Sequence, residues 1–195
     1  MGRGKMIKVT CIVGSARNDG SCAYLTDAFI KGLNGKAQIK KYCVSDMDLH
    51  FCKGCKNCYE MGECVTRDDV QSVVGDIMTS DYVFMAAPSY WAGVPAQLKA
   101  LFDRTTPYGD TNPKRIVNPK DGIKGIAVAV RAGTRQAENE LIISSIEHYF
   151  GHLGIQTIKA ISVLQTDTLS DLLEKNEKII AEVTRLGEDI ANNRL

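Results

Sequence analysis

The 195-residue sequence predicts an α/β protein, a doubly wound three-layer sandwich in which a five-stranded parallel sheet is covered by helices on both faces. Two observations carry this. Short β-branched or continuously apolar runs alternate along the chain with longer segments whose apolar residues recur at three- and four-residue spacing. Two of the short runs stop at Gly14 and Pro88, where a buried strand would hand over to a loop. The length adds a third constraint: at roughly 150 residues per domain it predicts one domain over 1–195, with a cysteine-rich insertion at about 45–67.

In order, Ile7 to Val13 is β-branched and reads as the first strand. From Ser21 to Leu33, the residues Tyr24, Leu25, Ala28, Phe29 and Leu33 share a helical face. Gln38 to Val44 is a short strand. Asp68 to Thr79 puts Val70, Val73, Val74, Ile77 and Met78 on one face, with Asp68 and Asp69 at its positive end. Tyr82 to Ala87 is a buried strand. Val94 to Arg104 is helical, with Pro95 in its first turn. Gly125 to Val130 is a further buried strand, and Ala137 to Leu153 is a helix stopped by Gly154. Gln156 to Val163 is the last strand. Ser170 to Asn192 closes the chain as one helix, facing inward through Leu172, Ile179, Val183, Leu186 and Ile190. With right-handed crossovers, ligands bind beyond the carboxyl ends of such strands, which gathers the loops 14–22, 88–93 and 131–136 at one rim. Segments 45–67 and 106–122 exceed ordinary connections; the second carries Pro107, Pro113 and Pro119 and reads as a lid or an oligomer contact.

Twenty-four basic against 23 acidic residues leave a net charge of +1, which argues against nucleic-acid binding through a broad electrostatic footprint and against a polybasic membrane anchor. No run approaches the length of a membrane span. The basic N-terminus is followed by an apolar run, Val9 to Val13, too short for a secretion signal, so a soluble cytoplasmic protein is expected. Seven cysteines, an odd number, then point to metal or redox chemistry rather than to a disulfide framework.

Gly14-Ser-Ala-Arg-Asn-Asp-Gly-Ser-Cys22 joins the first strand to the first helix. A helix N-terminus offers free N–H groups and a positive dipole end to a phosphate. Ser15 and Ser21 add hydroxyls, Arg17 a charge, and Asn18 and Cys22 stand beside them. The loop lacks the Gly-Lys-Ser/Thr ending of a P-loop and is not G-x-G-x-x-G, so a terminal monophosphate suits it better than a triphosphate or a dinucleotide. The plain alternative is a turn and helix cap. In the second loop, Pro88-Ser-Tyr-Trp-Ala-Gly-Val-Pro95, the residues Pro88, Ser89, Tyr90, Trp91 and Gly93 place the only tryptophan of the chain where a flat ring system would bind. Placement in a loop speaks against Trp91 as a core plug. The third loop brings Arg131, Gly133 and Arg135 to the same rim.

Together these loops resemble the flavodoxin-like NAD(P)H-dependent FMN reductase family. The first loop of that family reads G-S-x-R-x-x-G-N/S-T/S, matched by Gly14, Ser15, Arg17, Gly20 and Ser21. Its second reads P-x-Y-W-x-x-x-x-A-x-L-K-A-x-x-D-R, matched by Pro88, Tyr90, Trp91, Ala96, Leu98, Lys99, Ala100, Asp103 and Arg104. The resemblance runs from Lys5 to about Leu153 and implies strand order 2-1-3-4-5. It also implies an FMN phosphate held by Ser15, Arg17 and Ser21, and an isoalloxazine lined by Ser89 to Trp91. NAD(P)H is implied as electron donor. Cys22 replaces a usual hydroxyl residue, leaving its backbone N–H for the phosphate. The third loop, Gly133-Thr-Arg-Gln-Ala-Glu138, keeps only part of G-x-R-x-G-G-Q-E.

Cys52-Lys-Gly-Cys55-Lys-Asn-Cys58, followed after five residues by Cys64, is the sharpest local signal. Compact runs of thiolates at x2, x2 spacing ligate 4Fe–4S clusters, whereas zinc ribbons pair two C-x2-C knuckles across a longer span. Lys53 and Lys56 would offset thiolate charge. The run, continued by Asp68-Asp69-Val70, also resembles the iron–sulfur flavoprotein branch of the same family; its residues alone are compatible with a native cluster, zinc or free thiols. Cys11 and Cys43 read as packing residues. His148 and His152, four apart on one helix, have the spacing of half a metal site, but with no third ligand in view they read as a helix surface or subunit contact. Lys36, Lys40 and Lys41 read as a solvated edge. The leading expectation is an FMN-dependent oxidoreductase that passes electrons between FMN and a 4Fe–4S cluster. Its partners would be redox small molecules or a ferredoxin-type carrier, and the resemblance implies a homodimer or homotetramer. The alternatives are a cluster-free NAD(P)H-dependent reductase of FMN, quinones, nitro or azo compounds, and a non-enzymatic flavodoxin-like carrier, against which the near-zero net charge speaks. No side chain is assigned a catalytic role, the chemistry belonging to the flavin.

Overall fold

The computed structural model describes residues 6–195, so the basic N-terminal residues lie outside the description. Five strands, β1 (Ile7–Val13), β2 (Ala37–Cys43), β3 (Tyr82–Pro88), β4 (Lys124–Val130) and β5 (Gln156–Val163), form one parallel sheet in the order β2-β1-β3-β4-β5. This is the expected flavodoxin-like order. Period-2 alternation sends Cys11, Val13, Phe84, Ala86, Ile126 and Val128 into one core and Ile12, Val83, Met85, Ala127 and Ala129 into the other. A sheet buried on both faces explains why its central strands read as unbroken apolar runs.

One face is covered by α1 (Ser21–Gly32), α6 (Leu169–Lys175) and α7 (Glu177–Ala191), the other by α3 (Val70–Thr79), α4 (Ala96–Arg104) and α5 (Gln136–His152). Phe29 of α1 stacks on Phe84 of β3 with ring centroids 4.6 Å apart. Helices α1 and α7 meet through glycine: a Cβ on Gly187 would stand 2.3 Å from the Phe29 carbonyl, and one on Gly32 2.0 Å from that of Thr184.

Four expectations need correction. The closing helix is two: Asn176 (φ −126°, ψ 29°) breaks it, because its side-chain amide donates to the Leu164 carbonyl at 3.0 Å and to Thr166 Oγ1 at 2.9 Å. A Thr168–Asp171 capping box starts α6. Helix α4 starts at Ala96, with Pro95 extended at its N-cap (ψ 151°) rather than within the first turn. The long segments contain short helices that their composition hid, α2 (Asn57–Met61) and a 3₁₀ turn at Thr106–Tyr108. Tyr24, placed on the inward face of α1, is exposed.

Candidate functional site

The order of the sheet reverses between β1 and β3, and the loops that follow these two strands flank that crevice. Gly14 makes the first loop possible: its N–H donates to the Ala86 carbonyl at 2.7 Å, and a Cβ there would stand 2.6 Å from Leu98 Cδ2. Helix α1 then begins with no side-chain cap and no acidic residue in its first turn, which leaves the N–H groups and dipole end available to an anion. Ser15 is buried and its Oγ accepts from the Arg17 N–H at 3.1 Å; Ser21 Oγ donates to the Thr168 carbonyl at 3.2 Å. The Arg17 guanidinium donates to the Asp167 carbonyl at 3.0 Å.

Ser15, Arg17, Ser21, Cys22, Pro88, Ser89, Tyr90 and Arg131 line one cavity of about 80 Å³ over the strand ends. Two of its polar atoms, Ser89 Oγ and Arg131 Nε, are buried without a hydrogen-bond partner. Buried donors without partners are costly, so they mark where a polar ligand belongs. The donor set, three serines, two guanidinium groups and a bare helix N-terminus, fits a phosphate monoester of the FMN kind. Cys22 also packs into the core, and burial pushes its thiol up to about 12, so it contributes as a neutral wall.

Sequence reasoning overlooked Thr166 and Asp167, which line the same cavity from the loop after β5. Their position at a strand's carboxyl end was the available signal. Asn18, Trp91, Gly93, Gly133 and Arg135 lie outside that cavity. Asn18 donates to Asp46 at 3.2 Å, and Arg135 pairs with Glu138 at 2.9 Å on the surface. Gly133 packs under the Arg131 guanidinium, which a Cβ would approach to 2.9 Å.

Trp91 is fully exposed, which excludes a core role. It sits at the tip of a two-residue turn closed by Tyr90 and Gly93, whose N–H groups donate to each other's carbonyls at 2.9 and 3.0 Å. Trp91 (φ 54°) and Ala92 (φ 59°) both take left-handed backbone, a cost of roughly 1–2 kcal/mol each for non-glycine residues. A strained turn that holds an indole clear of the protein over the switch point suits a stacking surface for a flat ring.

The cysteine segment is pinned by Arg104, the last residue of α4, which is 2 % exposed. Its guanidinium donates to the carbonyls of His50 and Thr66 at 2.9 and 3.0 Å. It also grips the Asp68 carboxylate at 2.5 and 3.2 Å. Asp68 therefore does more than complement the α3 dipole, although its Oδ1 also accepts the Val70 N–H at 3.1 Å. From the other long segment, the Asn112 amide donates to the Cys58 carbonyl at 3.0 Å. So held, Cys52, Cys55, Cys58 and Cys64 line one pocket of about 150 Å³ together with Lys53, Lys56 and Arg104. Arg104 Nε is buried there without a partner. Burial pushes the Cys58 thiol up, and charge on Cys64, Cys52 and Cys55 would push it further. Four thiols around one pocket, with cations at its wall, fit a polynuclear cluster, each of whose metals takes a separate cysteine. Among the described residues, no three His, Cys, Asp or Glu side chains stand close enough to share a single metal ion.

A further cavity, about 530 Å³, lies between α4 and α5, with Gly93 and Val94 at one end and Tyr59 of the cysteine segment at its edge. Phe102 and Tyr149 stack at 4.1 Å within it, and His148 and His152 line it as well.

Residues 7–167 match the NADPH-dependent FMN reductase family. An iron–sulfur flavoprotein of Archaeoglobus fulgidus is 38% identical over 104 residues, a stretch covering 53% of this chain and 47% of that protein, so the chain spans about half the length of this relative. An iron–sulfur flavoprotein of Methanocaldococcus jannaschii is 32% identical over 145 residues, 74% of this chain and 72% of its own. Among solved structures, an NAD(P)H:quinone oxidoreductase from Methanothermobacter marburgensis superimposes with a TM-score of 0.69 at 15% identity, over 95% of this chain and 98% of that one, a likeness of fold. The chain belongs to the NADPH-dependent FMN reductase family of flavin-linked oxidoreductases, on the branch of the iron–sulfur flavoproteins.

Proposed function

We propose that this FMN-dependent oxidoreductase passes electrons between FMN, bound at the rim of the β1, β3 and β4 loops, and a 4Fe–4S cluster held by Cys52, Cys55, Cys58 and Cys64. The observation that carries the reading is the pocket of about 150 Å³ lined by all four cysteines and by the buried Arg104. Ser15, Arg17 and the N–H groups at the start of α1 hold the phosphate. Ser89 Oγ and Arg131 Nε supply donors to the same ligand, and the Trp91 turn covers the ring. Arg104, Lys53 and Lys56 offset the charge of four thiolates. When bound, the flavin accepts a hydride and releases electrons singly, and the cluster carries one electron at a time. NAD(P)H fits as donor, and redox small molecules or a ferredoxin-type carrier as acceptors. The active form is a homodimer or homotetramer in the cytoplasm. Among the described residues no helix is long and apolar enough to cross a membrane.

The test is protein purified without oxygen, assayed for iron and acid-labile sulfide and recorded in the visible range. About four irons and four sulfides per chain are expected; flavin without iron, with the four cysteines intact and reduced, overturns the cluster. A second reading has one observation in its favour, the likeness of the fold to an NAD(P)H:quinone oxidoreductase. It is a cluster-free NAD(P)H-dependent reductase of FMN, quinones, nitro or azo compounds. Iron-free protein that still oxidises NAD(P)H with such acceptors would establish it.

A further inference from the structure

His148 and His152 belong to neither the flavin rim nor the cysteine pocket, yet they are arranged with more order than a solvated helix face requires. Both lie in the last turns of α5, and their Nε2 atoms stand 3.1 Å apart. The other ring nitrogen of His152, Nδ1, is 2.7 Å from Asp110 Oδ1. Asp110 is itself fixed to the same residue, its N–H donating to the His152 carbonyl at 2.9 Å. A carboxylate only accepts, so the 2.7 Å contact with Asp110 Oδ1 places the His152 ring proton on Nδ1. The Nε2 of His152 then accepts from His148 Nε2 at 3.1 Å, beside the cavity of about 530 Å³ that both imidazoles line, and an ion bound between the two nitrogens would replace that shared proton.

The geometry points to a site for a divalent transition-metal ion of the zinc, nickel or copper class, with His148 Nε2 and His152 Nε2 as its protein ligands and Asp110 orienting His152 from behind. Two nitrogens 3.1 Å apart subtend about 98° at an ion bonded at about 2.05 Å to each, between the octahedral and tetrahedral angles. A carboxylate on the far nitrogen of a ligating histidine fixes its tautomer and raises its basicity. The end of a helix favours a cation. Imidazole ligands select the borderline ions over magnesium or calcium. With two protein ligands the remaining positions open into the cavity, where water or an oxygen-bearing ligand completes the shell.

The chain has three histidines, so imidazole nitrogen NMR reads the site directly and apart from any thiol. Zinc chloride titrated into the holoprotein should move the Nε2 resonances of His148 and His152 together, leave His152 Nδ1 protonated and leave His50 in place. Zinc captured by cysteines alone leaves all three histidines unmoved, and that result overturns the site; so does an equal response to magnesium. His148→Ala and His152→Ala should each abolish the shift of the remaining imidazole. Asp110→Asn should weaken binding about 10- to 100-fold; unchanged affinity removes Asp110 from the site. Iron content and flavin content are expected to stay as in the wild type in all three variants, which separates this outcome from any failure of the cluster or the flavin reading.

Discussion

Arg104 and Asp68 form an ion pair with both side chains withdrawn from solvent, Nη1 lying 2.5 Å from Oδ2. It joins the end of α4 to the start of α3, and through His50 and Thr66 it closes both ends of the cysteine segment. Breaking a buried pair leaves an uncompensated charge, so Arg104→Met or Asp68→Asn should each cost about 3–5 kcal/mol in urea unfolding. Burial alone would raise the Asp68 carboxyl, but the Arg104 hydrogen bond and the N–H groups of His50 and Val70 outweigh it and hold it below its ordinary value. A depressed carboxyl stabilises the fold above its unfolded pKa and loses that contribution as pH falls through the folded one. The stability gap between wild type and Asp68→Asn should therefore be constant above about pH 5 and shrink below about pH 4. A gap independent of pH down to the acid limit would remove the charge from the account.

Ser89 Oγ separates ligand binding from folding. It is buried and unpartnered, so Ser89→Ala removes an unsatisfied hydroxyl and should leave the apoprotein equally stable or slightly more so. The same change should weaken FMN. Arg17→Ala combined with Ser15→Ala should weaken it further, by about 30- to 2,000-fold for one charge-assisted hydrogen bond and one neutral one. Flavin fluorescence titration measures both. Unchanged flavin affinity in the double variant would place the phosphate elsewhere.

At the Trp91–Ala92 turn strain and exposure make opposite predictions for two neighbours. Ala92 holds φ 59° without the freedom of glycine, and Ala92→Gly should raise thermal stability by about 0.5–1 kcal/mol once glycine's own entropy is allowed for. Trp91 touches nothing that folding buries, so Trp91→Ala should change apoprotein stability by less than about 0.5 kcal/mol. Its flavin affinity should nevertheless fall, read by the same fluorescence titration.

The sheet was legible because its central strands are apolar on both faces and its helices on one; Phe84 and Met85, adjacent in sequence, enter opposite cores. The phosphate loop was legible because Gly14, Ser15 and Arg17 are local in sequence. Contacts made across the chain were not. Nothing near Arg104 announces that it will be buried against Asp68, 36 residues earlier, and nothing near His152 announces Asp110, 42 residues away. The break at Asn176 is of the same kind, since its cause is a pair of acceptors at Leu164 and Thr166. Helix periodicity continues through Asn176, and only the loop after β5 interrupts it.

The seven cysteines divide by exposure, and their reactivity should divide with them. Cys52 and Cys55 are exposed, Cys58 and Cys64 half-buried in the same pocket, Cys43 half-buried against the core, and Cys11 and Cys22 are core residues. Burial pushes both core thiols up, Cys22 to about 12, which removes the reactive thiolate at neutral pH. Iodoacetamide on iron-free native protein, followed by peptide mass mapping, should label Cys52 and Cys55 first and reach Cys11 and Cys22 only after unfolding. Cluster-loaded protein should protect all four residues of the run together, and Cys52→Ser or Cys55→Ser should abolish iron while leaving apoprotein stability within about 0.5 kcal/mol of wild type. A core substitution reverses the pattern: Cys11→Ser buries a hydroxyl among apolar neighbours, costs about 1–3 kcal/mol and leaves iron content unchanged. Iron retained at full stoichiometry in Cys52→Ser would mean that the run is not the cluster's ligand set.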